Sequence, residues 1–305
     1  MKAIVVHRND LDNVGDIASN PLQYFLKPNE YKTVDITDIS RLNFDESIPV
    51  IAGGGGLLAN TFMGDVLSDL AVSNDENEML ALANSFWKSS HTSNKQVRDE
   101  FFQKLNALVK EYGNRLSNER SPRIIWGAGH NGDYQKKMRG TLEYPSWLRK
   151  FDEVGVRDWA QQYNWVPCAS CMHPALRKKY TIKNDVIWFE HKKQLIKSTE
   201  FGKEPIPRFI NSGNNIEQTI ELLGSANTII TNSYHGAYWG TLLGKRVMVV
   251  EAWSSKFNAM KHNPHFLQKG EYWKDAVDDA KEYSTALDEC INATEEYWNK
   301  VKSYL

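Results

Sequence analysis

Short β-branched apolar runs recur along the chain, each closed by a Gly- or Asn-rich break and followed by a stretch with apolar residues every three or four positions. A strand covered on both faces reads as a continuous apolar run, and a helix packed on a sheet shows the three-to-four spacing. The alternation therefore predicts parallel βαβ units and an α/β fold. Candidate strands are residues 3–7, 33–36, 50–52 and 123–126 in the first half, then 153–156, 185–189, 208–210, 228–231 and 246–250. Candidate helices are residues 17–26, 77–87, 95–112, 160–164, 216–223, 237–243 and 286–301. Residues 140–146 break both periods near the middle, which places a junction there between two domains, 1–145 and 146–305, each with its own sheet. The polar run 88–95 lies between two predicted helices and reads as a solvated connection or a mobile lid.

At 305 residues the chain is long enough for two cores, and 41% apolar with 25% charged residues is ordinary for a globular protein. Thirty-seven Lys and Arg against 38 Asp and Glu leave a formal charge of −1, so bulk nucleic-acid binding is not expected. Three cysteines are too few for a disulfide framework and favour a reducing compartment. The opening Met1–His7 run reads as a strand rather than a secretory core, and no apolar run approaches the ~18 residues that span a bilayer. The expectation is a cytoplasmic protein, with contact at a membrane surface left open.

Ligands of open parallel sheets bind beyond the carboxyl ends of the strands, where helix N-termini and free backbone N–H groups converge. Six segments fall there: Asn13-Val14-Gly15-Asp16, Gly53-Gly54-Gly55-Gly56, Gly127-Ala128-Gly129-His130-Asn131, Arg157-Asp158, Asn232-Ser233-Tyr234-His235-Gly236 and Ser254-Ser255-Lys256. The four glycines form a ligand-facing turn or a tight structural one; they lack the Lys-Ser/Thr of a Walker loop and are not GxGxxG. Ser233 is placed to cap the following helix, so His235 falls in a first turn whose N–H groups and positive end suit an anion. A histidine there donates a hydrogen bond or a proton to a bound phosphate, or is simply packed. The planar fork of Arg157 fits a carboxylate or phosphate, the alternative being a salt bridge to Asp158. Asp16, at a probable helix start, either stabilises the helix dipole or serves as a general base.

Cys168, Cys171 and His173 have metal-like spacing, but a structural zinc needs a fourth ligand and Cys290 is distant in sequence, so no metal is expected. No thioredoxin-like strand precedes the Cys-x-x-Cys, which argues against redox chemistry. Trp126, Trp188, Trp239 and Trp253 lie near predicted strand ends, as core residues or as faces for stacking on a sugar.

Taken in order, the segments resemble the polysaccharide pyruvyl transferase family. The likeness rests on Asn13-x-Gly15-Asp16, Gly53 to Gly56 with Leu57, Trp126-Gly127-Ala128-Gly129, Val156-Arg157-Asp158, Pro174-Ala175-Leu176 and Ser233-x-His235-Gly236 with Leu243-Gly244-Lys245-Arg246-Val247. It covers residues 1 to about 260. The resemblance implies two Rossmann-like domains facing across a cleft, similar to GT-B glycosyltransferases. The first would hold the acceptor and the second the donor, with a C-terminal helix packing back on the first. It implies transfer of a pyruvyl group from phosphoenolpyruvate, as co-substrate, to a sugar hydroxyl of a polysaccharide or glycan precursor as a ketal, with no further cofactor. In family members an Arg-Leu-His triplet contacts the donor; here Ser233, Tyr234 and His235 stand at those positions, so the histidine is kept and the arginine is not. Arg157, which matches the family's other arginine, and Lys256 would supply the missing charge, with Ser233, Tyr234 and Gly236 beside them. His235 would be the acid and Asp16 the base. Asn13, Gly53, Gly54, Gly55, Gly56, Gly127, Gly129, His130 and Asn131 would form the cleft loops. His173 stands where many members have Asp. A nucleotide-sugar glycosyltransferase of the same architecture and a catalytically idle carbohydrate-binding relative are the competing readings.

Overall fold

The computed structural model describes residues 1–9, 12–35, 48–58, 122–131, 144, 148, 151–159, 162–196 and 205–305. Within them lie two parallel sheets, as the sequence pattern expects of an α/β chain. The first comprises β1 (Ala3–His7), β2 (Tyr31–Asp35), β3 (Val50–Gly53), β4 (Arg123–Ala128), β5 (Glu153–Val156) and β6 (Asn164–Trp165), in the order β2-β1-β3-β4-β5-β6. The second comprises β7 (Asn184–His191), β8 (Arg208–Asn211), β9 (Ala226–Thr231), β10 (Arg246–Val249) and β11 (His265–Phe266), in the order β11-β10-β9-β7-β8. The helices are α1 (Val14–Ala18), α2 (Ile216–Gly224), α3 (Tyr234–Leu242), α4 (Trp273–Ala276) and α5 (Ala286–Val301).

The arrangement is consistent with two Rossmann-like domains, but the junction differs from the sequence expectation. β5 and β6 lie beyond residue 145 and yet pair into the first sheet, Ile124 with Glu153 and Gly155 with Asn164. The division between sheets therefore falls between Trp165 and Asn184 and not at 145, because the strands on either side of 140–146 in sequence, β4 and β5, belong to the same sheet. Of those residues only Tyr144 is described, and it packs against the first-sheet core. The expected helices 77–87 and 95–112 and the polar run 88–95 lie outside the described residues.

Two other expected helices are corrected. The one at 17–26 is instead α1, ending at Ala18 with Ser19 as its C-cap, then a separate 3-10 turn Leu22–Tyr24. Pro21 has no N–H to continue α1, and Asn20 Oδ1 accepts the Leu22 N–H to start the new turn. In the one at 160–164, Asn164 opens β6.

The C-terminal helix α5 buries Ala286, Cys290, Thr294, Tyr297 and Val301, an apolar stripe at intervals of three and four. Its first half packs in the core of the second sheet, and its last turns lie on the first sheet beside Trp126 and Val166. The Tyr297 hydroxyl donates to the carbonyl of Ile125 at 2.7 Å. Among the described residues no helix is long and apolar enough to cross a membrane.

Candidate functional site

Both sheets reverse their strand order once, between β1 and β3 and between β7 and β9, and at such a point the flanking loops diverge and leave a crevice. The two crevices meet in one cavity of about 360 Å³. Arg8, Asn13, Asp16, Gly55, Gly56, Asn131 and Arg157 line it from the first sheet's loops. His191, Lys192, Lys193, Asn211, Ser233, Tyr234, His235, Trp253 and Lys256 line it from the second's. Each of the six segments singled out in the sequence contributes at least one of these residues.

Their placement follows from local chemistry. Asn13 caps α1, its Oδ1 accepting the Gly15 N–H at 3.1 Å while its Nδ2 donates to Asp16 Oδ2 at 2.9 Å, which fixes that carboxylate at the cavity wall. Gly15 lies flat against the His235 ring, and a Cβ there would overlap Nδ1. Gly15→Ala is expected to cost about 1–3 kcal/mol by forcing the ring aside, read from the urea midpoint at unchanged m. α3 begins at Ser233, whose hydroxyl does not cap the helix but accepts from Asn211 Nδ2 at 3.0 Å, leaving the first turn without a side-chain cap.

Arg157 carries the strongest signal. It is 4% exposed, its guanidinium stacks 4.0 Å over the Tyr234 ring, and its Nε and Nη2 have no hydrogen-bond partner. An unmet buried donor on a cation is costly, which makes this fork the cavity's candidate for holding an anion. Asp158 forms no salt bridge with it, although the Arg157 charge draws the buried Asp158 carboxyl down against the effect of burial; Asp158 Oδ2 accepts the His130 N–H at 2.6 Å and the Tyr144 hydroxyl at 2.9 Å. Lys256 sits 4.0 Å from the Trp253 ring centroid. Burial first, and the Arg157 charge second, push its ammonium down to about 7. His235 is held down to about 3 by burial, then by Arg157 and Lys256, so its imidazole is neutral across the physiological range.

Several sequence-picked residues lie off the cavity wall. A Cβ on Gly53 would meet the Trp126 carbonyl and one on Gly54 the Ser19 carbonyl, so these two serve close backbone packing while Gly55 and Gly56 face the cleft. Gly127, at φ 63°, abuts the Pro167 carbonyl; Gly129 makes room for the Arg157 and Asp158 side chains; Gly236 lets α3 approach Phe189. His130 bonds through Nδ1 to Ser255 Oγ at 2.9 Å, and Ser254 bonds to Asn131, which ties the loop bearing Lys256 to the first sheet. Trp126, Trp188 and Trp239 are core residues; Trp253 lines the cavity. Arg8, His191, Lys192, Lys193 and Asn211 were not picked out in the sequence. Their signal was position: each sits at, or just past, the carboxyl end of a strand.

His173 Nδ1 accepts the Ala175 N–H at 3.3 Å and so caps the turn Pro174–Arg177, which an aspartate would also do. Among the described residues no group of three His, Cys, Asp or Glu side chains is disposed to hold a metal ion.

The buried histidines give the fold a pH dependence. His7 and His191 are each lowered to about 4 by burial and His235 to about 3, against an ordinary 6.5. Between those values the unfolded chain binds protons that the folded one refuses, so stability falls as pH drops from 6.5 towards 4. Asp158, raised by burial to about 6 from 3.8, works the other way in the same window, one proton against three. The expected outcome is a lower unfolding temperature at pH 5 than at pH 7.5, measured by calorimetry in matched ionic strength.

No protein-family model matches the chain, and no curated protein matches it. A solved structure of a functionally uncharacterised protein from Klebsiella pneumoniae aligns with 88% of this chain and 93% of its own, at 15% identity and a TM-score of 0.39.

Proposed function

We propose that the protein is a transferase that moves the pyruvyl group of phosphoenolpyruvate onto sugar hydroxyls as a ketal, in a GT-B-like frame with the donor held in the cleft between Arg157, which follows the first sheet's β5, and Lys256 and α3 of the second. The observation that carries this reading is the buried, unpartnered fork of Arg157, beside Lys256 and the first turn of α3. A small donor bearing both a carboxylate and a phosphate meets all three. Ketal formation protonates the enol's methylene carbon, joins a sugar oxygen to the adjacent carbon and releases that hydroxyl's proton. A second sugar hydroxyl then displaces phosphate, its proton leaving with the phosphate. His235 supplies the first proton and Asp16, on the facing wall, accepts the one released. The imidazole gains the proton it delivers only once a bound phosphate offsets Arg157 and Lys256.

A nucleotide-sugar glycosyltransferase is the second reading, favoured by the further positive charge of Lys192 and Lys193 along the β7 end of the same cavity, which suits a diphosphate. Thermal unfolding with phosphoenolpyruvate, UDP and GDP separates the two, since a ligand at about 100 times its Kd adds about 2.7 kcal/mol of stability. Stabilisation by phosphoenolpyruvate alone supports the first reading, and by a nucleotide alone the second. Glycan affinity without turnover on either donor leaves a carbohydrate-binding protein.

Lys256 adds a pH signature. Its ammonium is charged below about 7 and loses its proton above it, so phosphoenolpyruvate affinity is expected to fall from pH 6.5 to 8.5 in titration calorimetry. In Lys256→Arg, where the charge persists, that fall is expected to vanish.

A further inference from the structure

Behind His235, on the side away from the cavity, four buried side chains form a hydrogen-bonded row. Trp239 Nε1 lies 3.0 Å from Ser170 Oγ, Ser170 Oγ 3.2 Å from Cys168 Sγ, and Cys168 Sγ 3.6 Å from His235 Nε2. Ser170, Cys168 and Trp239 are 0% exposed, so no solvent completes their bonding.

The row has a direction. An indole N–H only donates, so Ser170 Oγ accepts from Trp239. The serine hydrogen then has Cys168 Sγ as its acceptor, since left elsewhere it would be buried without one. With a hydrogen arriving at its sulfur, Cys168 turns its own S–H towards the remaining neighbour, His235 Nε2. Burial raises the thiol above its ordinary value, so that hydrogen is present at neutral pH. Nε2 is thus an acceptor, and the one proton of the neutral ring sits on Nδ1, the nitrogen against Gly15.

We propose that Cys168 and Ser170 are positioning residues that hold resting His235 as its Nδ1–H tautomer, so that it presents a hydrogen-bond donor, and not a base, at the cavity wall. The tautomer stands apart from the transfer reaction; its catalytic consequence rests on that reading. Under that reading the Nδ1–H donates to the bound phosphate, while Cys168 and Ser170 keep the ring oriented from behind.

The test is long-range proton–nitrogen NMR on the full chain labelled with 15N-histidine, with His235 assigned from the signals missing in His235→Gln. The wild type is expected to show a protonated Nδ1 and a lone-pair Nε2, by roughly tenfold or more. Cys168→Ser keeps a donor in place and is expected to keep the pattern; Cys168→Ala is expected to shift the proton towards Nε2, while the other histidine signals stay in place. A proton on Nε2 in the wild type, an imidazolium at neutral pH, or an unchanged pattern in Cys168→Ala overturns the proposal. The wild-type spectrum alone fixes the direction if Cys168→Ala does not fold, and none of these outcomes depends on whether phosphoenolpyruvate binds.

Discussion

His235→Asn is expected to slow pyruvyl transfer by about 10² to 10⁴, measured in a single turnover at saturating phosphoenolpyruvate, with donor Kd nearly unchanged. Asparagine keeps an N–H near the cavity wall but has no proton to give. The loss is placed in rate and not affinity because Arg157 and Lys256, which carry the charge, are untouched. The empty site works against protonation of His235: burial, Arg157 and Lys256 all favour the neutral ring. In the proposed reaction acid catalysis would then depend on the donor's own charge, and the pH dependence of the donor-bound protein is expected to lie well above that of the free one. A near-normal rate in His235→Asn, or a loss accounted for by weaker donor binding, reduces His235 to a binding residue.

The strand-end positions of the candidate site were legible because parallel-sheet chemistry is local at the point of exit. Asn131, Arg157 and Ser233 follow a strand directly or nearly so, Asn13, Asp16 and Lys256 lie in the loop or first turn after one, and the topology gathers them without further information. The misses around β7 and β8 share a physical cause. β7 runs to His191 and β8 to Asn211, past the last apolar residue of each pattern, because paired backbone extends a strand whatever the side chain. Lys192 and Lys193 therefore read as ordinary surface charge. The boundaries of β1 and α5 were fully legible, one a continuous apolar run and the other a regular stripe. Sheet membership was not: the pairing of β5 and β6 with β4 is a long-range fact that no local period encodes. Nor does a glycine's sequence context say whether it faces the open cavity, as Gly55 does, or a carbonyl, as Gly54 does.

Arg157→Ala is expected to weaken phosphoenolpyruvate binding by roughly 10- to 150-fold, the equivalent of about 1.5–3 kcal/mol for a charge-assisted contact. A structural arginine and a ligand-binding one differ in what the empty protein does. Were Arg157 present for the fold, its removal would lower the unfolding temperature. Instead the empty protein holds a buried cation with Nε and Nη2 unmet, offset by stacking on Tyr234. Truncation relieves the desolvation but removes the stacking and the charge that faces buried Asp158, so the unfolding temperature of the ligand-free variant is expected to change little, while the stabilisation given by phosphoenolpyruvate shrinks. Two further shifts follow from its charge. Arg157 is the second cause of the low values at His235 and Lys256, so both rise when it is removed, and the loss of donor affinity at high pH moves upward with Lys256. Arg157→Lys keeps the charge without the fork and is expected to fall between the two in affinity, because an ammonium meets one oxygen where the guanidinium meets two. Calorimetric titration of the three proteins decides the point: equal Kd values in all of them place the donor elsewhere.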